Sequence, residues 1–227
     1  MLILFAIVNF ALGFYSALFT PLVLSRFGAE ALGSLLSISG LAMLAGSLVM
    51  SAWGGTTRKI YTVLGAISLS GLGMGAVGLR PDALLMGAGN LFFFALVPIA
   101  NAASQAIWLA KVAPDVQGRV FAARMMIGSA ITPLAYLLAG PLADRIAEPL
   151  MAEEGALAGS VGRILGVGSG RGIGLILVLT GLVVALAPLL AAFIRPIRRV
   201  EVELPDAVPG IATGTAGELA SAGDGRQ

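Results

Sequence analysis

Six uninterrupted apolar runs occupy nearly all of the first 194 residues, and almost every charge falls in the gaps between them. A bilayer's hydrocarbon core is about 30 Å thick and takes about 20 helical residues to cross. The runs at 2–24, 31–52, 60–79, 84–110, 120–139 and 172–194 meet that length. A soluble fold has no use for six helices that are apolar on every side. Barrel strands do not fit either, because they are short and alternate in polarity. The pattern predicts an all-α membrane protein: a bundle of six transmembrane helices in residues 1–199, an outer loop at 140–171, and a tail at 200–227.

Composition agrees. Hydrophobic residues make up 58% of the chain and charged residues 11%, where a soluble domain is about a quarter charged. Cysteine and histidine are absent, which removes thiolate catalysis, disulfides and imidazole metal or proton sites. No span offers a nucleophile–base pair or paired carboxylates, so enzyme chemistry is not expected, nor is a cofactor. The first run is too long for a cleavable signal peptide and lacks its basic start, and is read as a true span.

The net charge of +2 conceals a split. The tail carries Glu201, Glu203, Asp206, Glu218 and Asp224 against Arg226 alone, so the rest of the chain is basic. The tail is rich in small and polar residues, without an apolar period, and is expected to be disordered. With six spans both termini share a side. That side collects Arg58, Lys59, Lys111, Arg119, Arg195, Arg198 and Arg199; the other holds Arg26, Arg80, Arg145, Arg163 and Arg171. Positive charge in short loops marks the cytoplasm, so both termini are expected there. Such basic flanks set topology and meet anionic lipid; they do not point to nucleic acid.

Polar groups inside spans are costly and tend to face a bundle interior or a wet cavity. In the first span Asn9, Gly13, Ser16 and Thr20 share a face; in the second Gly33, Ser37, Gly40, Ser47 and Ser51 do. The fourth carries Asn90, Asn101, Gln105 and Trp108, and the fifth Arg124, Gly128, Thr132 and Tyr136. The third is striped with glycine (Gly65, Gly71, Gly73, Gly75, Gly78) and the sixth has only Thr180 and Gly181. Spans one, two, four and five are therefore expected to be interior, and three and six peripheral. Plain helix packing explains most small-residue stripes. It does not require the amides of Asn101 and Gln105 one turn apart with Trp108 next, so this trio and Asn9 are candidates for a substrate path. Pro98 and Pro133 allow bends in their helices. Arg124 is the one ionisable residue within the runs; it either snorkels to the surface or holds an anion in a cavity.

Three segments carry a family resemblance. "SAWGGTTRK" places Gly54, Gly55, Arg58 and Lys59 after the second span; "APDVQGRVFAAR" leads into the fifth; "AGPLADR", with Gly140, Asp144 and Arg145, ends it. With the six-span layout these resemble the major facilitator superfamily, and within it the bacterial macrolide and siderophore exporters. The likeness covers roughly residues 1–200. It implies the carboxy-terminal half of a twelve-helix fold, built from two inverted three-helix repeats. A glycine-led turn with a basic residue at 54–58, and another at 140–145, form a faint echo of that repeat. The family's loop motif "GxLADRxGRK" has Asp and Arg where this chain has Gly54 and Gly55, so its charge-relay part is degenerate here. The resemblance assigns helices one, two, four and five of a half to the cavity. "GVGSGRG" at 166–172 lacks the strand and lysine of a phosphate loop and is read as flexible glycine.

The resemblance implies a half or fragment of a secondary-active transporter in the bacterial cytoplasmic membrane. It would export a small amphiphilic molecule by alternating access, with the lipid bilayer and a second six-helix half as partners. It would be a truncated gene product, a mis-started frame or a natural half. The competing reading is a membrane scaffold or assembly partner that transports nothing, favoured by the absence of carboxylates within the spans.

Overall fold

The computed structural model describes residues 2–194 together with Glu201 and Ala207. The rest of the tail, including the expected disorder after residue 200, and Arg195, Arg198 and Arg199 lie outside the described residues. Within them the fold is all helix: α1 (Leu2–Trp53), α2 (Lys59–Leu79), α3 (Ala83–Lys111), α4 (Pro114–Leu142), a π turn (Ala143–Ala147), the short turns α5 (Glu148–Leu150) and α6 (Gly162–Leu165), and α7 (Arg171–Phe193). Five of these, counting α4 with the turns that extend it to Leu150, are long and apolar enough to cross a membrane.

α1 is 52 residues long and would measure about 78 Å if straight. It is not straight. Gly28 has φ 80° and ψ −177°, a region open essentially to glycine alone. The amide of Asn90 on α3 then reports where the two limbs go. Its Oδ1 accepts from the Tyr15 hydroxyl at 2.5 Å, and its Nδ2 donates to Ser39 Oγ at 2.7 Å and to the Leu35 carbonyl at 3.0 Å. Tyr15 and Ser39 would lie about 36 Å apart along a straight helix. Meeting at one side chain, they show that the chain doubles back at Gly28, inside the gap expected at 25–30.

The remaining joints follow local chemistry. Gly54 and Gly55 have φ 69° and 82° and turn the chain out of α1. The Asp82 carboxylate accepts from the Leu85 N–H at 2.8 Å and caps α3. Pro114 opens α4, where a missing N–H costs nothing. The far end of α4 departs from expectation. Helix was expected to stop at Ala139, with a glycine-led turn at 140–145. Gly140 instead stays helical, with no positive φ, and helix continues through the π turn to Leu150. The π turn widens the helix just before Pro149, which lacks the N–H that an ordinary turn would use. Asp144 and Arg145 sit exposed on this turn, so the second half of the expected repeat echo is not a turn. Within the expected outer loop one further helical turn forms, at Gly162–Leu165.

The interior also differs from expectation. α2, the third span, is the most buried helix: 61% of its apolar window is inside, against 44% for α7, 22% for α3 and 17% for α4. α2 lies between α3 and α7, and glycines set the distance. A Cβ on Gly73 would stand 2.9 Å from the Gly89 carbonyl oxygen and 2.8 Å from the Phe93 nitrogen. Gly78 meets Gly174, and Gly71 and Gly75 meet Gly181, in the same way. Backbone lies on backbone, and this close approach buries the helix that polarity alone had placed outside. The polar stripe of the second limb of α1 is left open instead: Ser37, Ser47 and Ser51 are exposed, and Gly33 and Gly40 touch nothing.

The two ends of the bundle are tied separately. At one end Arg26 donates to the Ser169 carbonyl, and the Glu148 carboxylate accepts from the Gly170 and Ile173 N–H groups that open α7. At the other, Glu201 Oε1 and Oε2 accept from the Lys59 and Ile60 N–H groups at 2.9 and 3.0 Å, capping α2. Lys111 Nζ donates to the Glu201 carbonyl at 2.8 Å, closing the same end over α3.

Candidate functional site

A cavity of about 110 Å³ opens between the first limb of α1, α2 and α3, with Val184 of α7 at its edge. Most of its wall is aliphatic or aromatic. Polar atoms come from Asn9, Ser70, Asn101, Ser104 and Trp108. Three of the five substrate-path candidates thus line one space.

Each reaches it differently. The Asn9 Nδ2 donates to its own helix at the Phe5 carbonyl, 2.8 Å away. Its Oδ1 faces Gly128 of α4, where a Cβ would come within 3.3 Å. The glycine at 128 therefore lets α4 approach the asparagine. Asn101 is exposed and stands on the ridge between this cavity and a broader open groove of about 690 Å³. Gln105, one turn on, belongs to that second groove, with Ser47 and Ser51 across from it. Among the described residues neither the Asn101 nor the Gln105 side chain makes a hydrogen bond, so both amides are available to a ligand. Trp108 is half-buried at the end of the first cavity.

Arg124 resolves the choice left open by its position. It does not snorkel: it is 8% exposed. Nη2 donates to Ser104 Oγ at 3.0 Å. The guanidinium lies 4.4 Å from the centroid of the Phe5 ring and 5.7 Å from that of Trp108. Since Phe5, Ser104 and Trp108 all line the cavity, Arg124 stands behind its wall, and α4 joins the site through it. The fold brings Asn9, Asn101, Trp108 and Arg124 together and leaves Gln105 in the neighbouring groove.

The two loop motifs are elsewhere. Arg58 is exposed; Lys59 donates its ammonium to the Gly54 carbonyl and its backbone N–H to Glu201. Gly54 and Gly55 act through their backbone conformation. Gly140, Asp144 and Arg145 lie at the opposite end of the bundle. Neither motif touches the cavity.

Sequence reasoning passed over two buried polar groups. The Tyr15–Asn90–Ser39 set is 2%, 0% and 6% exposed and is wrapped by Phe19, Phe93 and Phe94 around the tyrosine ring. Asn90 was visible on its stripe; the missed signal was the tyrosine hydroxyl in the first span, which in hydrocarbon must find a partner. Arg171, at the head of α7, is 1% exposed and donates Nη1 to the Leu165 carbonyl at 2.8 Å. It had been counted as a loop charge.

No family model, curated protein or solved structure matches this chain.

Proposed function

We propose that the chain makes six membrane crossings and is one half of a secondary-active transporter of the major facilitator type, exporting a small amphiphilic molecule by alternating access. The crossing count follows from reading the two limbs of α1, which part at Gly28, as separate spans. The observation that carries the reading is convergence. In a bundle whose apolar runs lack acids, Asn9, Asn101 and Trp108 line one largely apolar cavity from two helices, and Arg124 of a third stands behind its wall. Apolar walls with a few placed polar groups are the usual form of a small-molecule site. A second six-helix half would cover α3 and α4, which this chain leaves mostly bare. Basic loops argue for a bacterial cytoplasmic membrane with both termini inside.

A scaffold that transports nothing is the alternative, and the same bare faces favour it. Efflux of a panel of lipophilic dyes from cells expressing the chain separates the two. Export that is lost in Asn101→Ala supports the carrier. No export from chain shown to be folded in the membrane supports the scaffold. Orientation is checked by labelling a cysteine placed beside Arg58: reaction with an external, membrane-impermeant reagent would invert the topology.

A further inference from the structure

Among the described residues, Arg124 is buried without a counter-charge. Its neighbours are a hydroxyl and two aromatic faces. The nearest acid on its own helix is Asp115, nine residues earlier, about 13 Å along the axis. A charge withdrawn from water is costly unless it is paired, and ring quadrupoles replace only part of that loss.

A guanidinium has five donors, and Ser104 takes one. Among the described residues, the sealed side-chain atoms without a partner are Ser68 Oγ and Nε and Nη2 of Arg171. The unused donors of Arg124 are therefore not shut inside protein; they meet open space. The three side chains that hold the guanidinium, Phe5, Ser104 and Trp108, also line the cavity, so Arg124 stands directly behind its wall.

We propose that this cavity binds a small organic anion, its carboxylate reaching past Ser104 and Trp108 to pair with Arg124 and its apolar body lying along Val8, Leu12, Met74 and Val97. This deepens the transport reading, on which it rests for the idea that the bound anion is carried. The guanidinium fork matches a planar carboxylate in geometry as well as charge. The free amide of Asn101 supplies a further donor within the same wall. A neutral amphiphile leaves the buried charge unpaired, and a cation is repelled by it.

The chain has two tryptophans, Trp53 and Trp108. With Trp53→Phe in place, the full-length protein in zwitterionic nanodiscs reports on the cavity through Trp108 alone. The heavy-atom quencher 4-bromobenzoate is titrated against it, beside the isosteric 4-bromobenzamide and the cationic 4-bromobenzylamine. The carboxylate is expected to bind at least about tenfold tighter than either analogue. Arg124→Gln is expected to bring the three within about twofold, and Arg124→Lys to keep part of the preference. Equal binding of acid and amide overturns the proposal, as does a preference that survives Arg124→Gln. Absence of quenching by all three, from chain shown by circular dichroism to be folded, overturns it too. Its failure is separable from that of the transport reading: dye efflux without carboxylate preference sinks this inference alone, and carboxylate preference without efflux sinks transport alone.

Discussion

The two sides of α3 are closed to different degrees. On one side α3 and α7 clasp α2, and the glycines of all three helices touch backbone. On the other, α3 meets the two limbs of α1 at the Tyr15–Asn90–Ser39 set and where Gly46 lies against the Ala95 carbonyl, and leaves a cavity and an open groove beside those contacts; α4 packs on α1, with Gly13 against Ala135, and sends Arg124 toward the cavity. Glycine stripes occur on both sides, yet they do different things. Where a Cβ would meet a carbonyl, glycine is a packing surface. Where it would meet nothing, as at Gly33 and Gly40, glycine leaves a bare face. Polarity and smallness are therefore separate signals in a membrane helix: the small residues of α2, like Gly46 of α1, mark where this chain closes on itself, and the polar residues left without a partner, Asn101 and Gln105, mark where it stays open.

Four substitutions test that contrast. The largest effect is expected from Gly73→Leu, which drives a side chain into the α3 backbone and should cost about 3 kcal/mol of stability, read by unfolding of the purified chain in nanodiscs. Next is Asn90→Leu. It strands the Tyr15 hydroxyl in the core where the two limbs of α1 meet, while Ser39 keeps its own bond to the Leu35 carbonyl, at a cost of about 2 kcal/mol by the same assay. Glu201→Ala removes the cap on α2 and should cost about 1 kcal/mol. Hydrogen exchange at the Lys59 and Ile60 amides should rise with it while the cavity side is unchanged. The smallest is Gly33→Ala, on the bare face, which should stay within about 0.5 kcal/mol of the wild type or stabilise it slightly. If Gly33→Ala and Gly73→Leu cost the same, the distinction between clasp and open face fails.

The candidate site was partly legible in the residues. Asn101, Gln105 and Trp108 stood out because a helix period puts them on one stripe, and an amide in hydrocarbon invites a partner. The stripe could not say that a ridge at Asn101 would divide two spaces and assign Gln105 to the second. Arg124 was visible as a charge in an apolar run, but its direction was not, since an arginine four residues into such a run can reach either way. The ring of Phe5, 119 positions earlier, settles that direction.

Local chemistry accounts for what could be read without coordinates. Run length and hydropathy imply the helices, and breaks fall where glycine or a charge interrupts the apolar pattern: Gly28, Gly54 and Gly55, and Asp82. These depend on neighbours a few residues away. The burial of α2, the meeting of Tyr15 and Ser39 at Asn90, the inward turn of Arg124 and the cap from Glu201 depend on which remote surfaces fit against each other. In a bilayer hydrophobicity does not rank those pairings, because lipid is as apolar as any helix face; close backbone contact and buried hydrogen bonds do, and both exist only once the helices are packed.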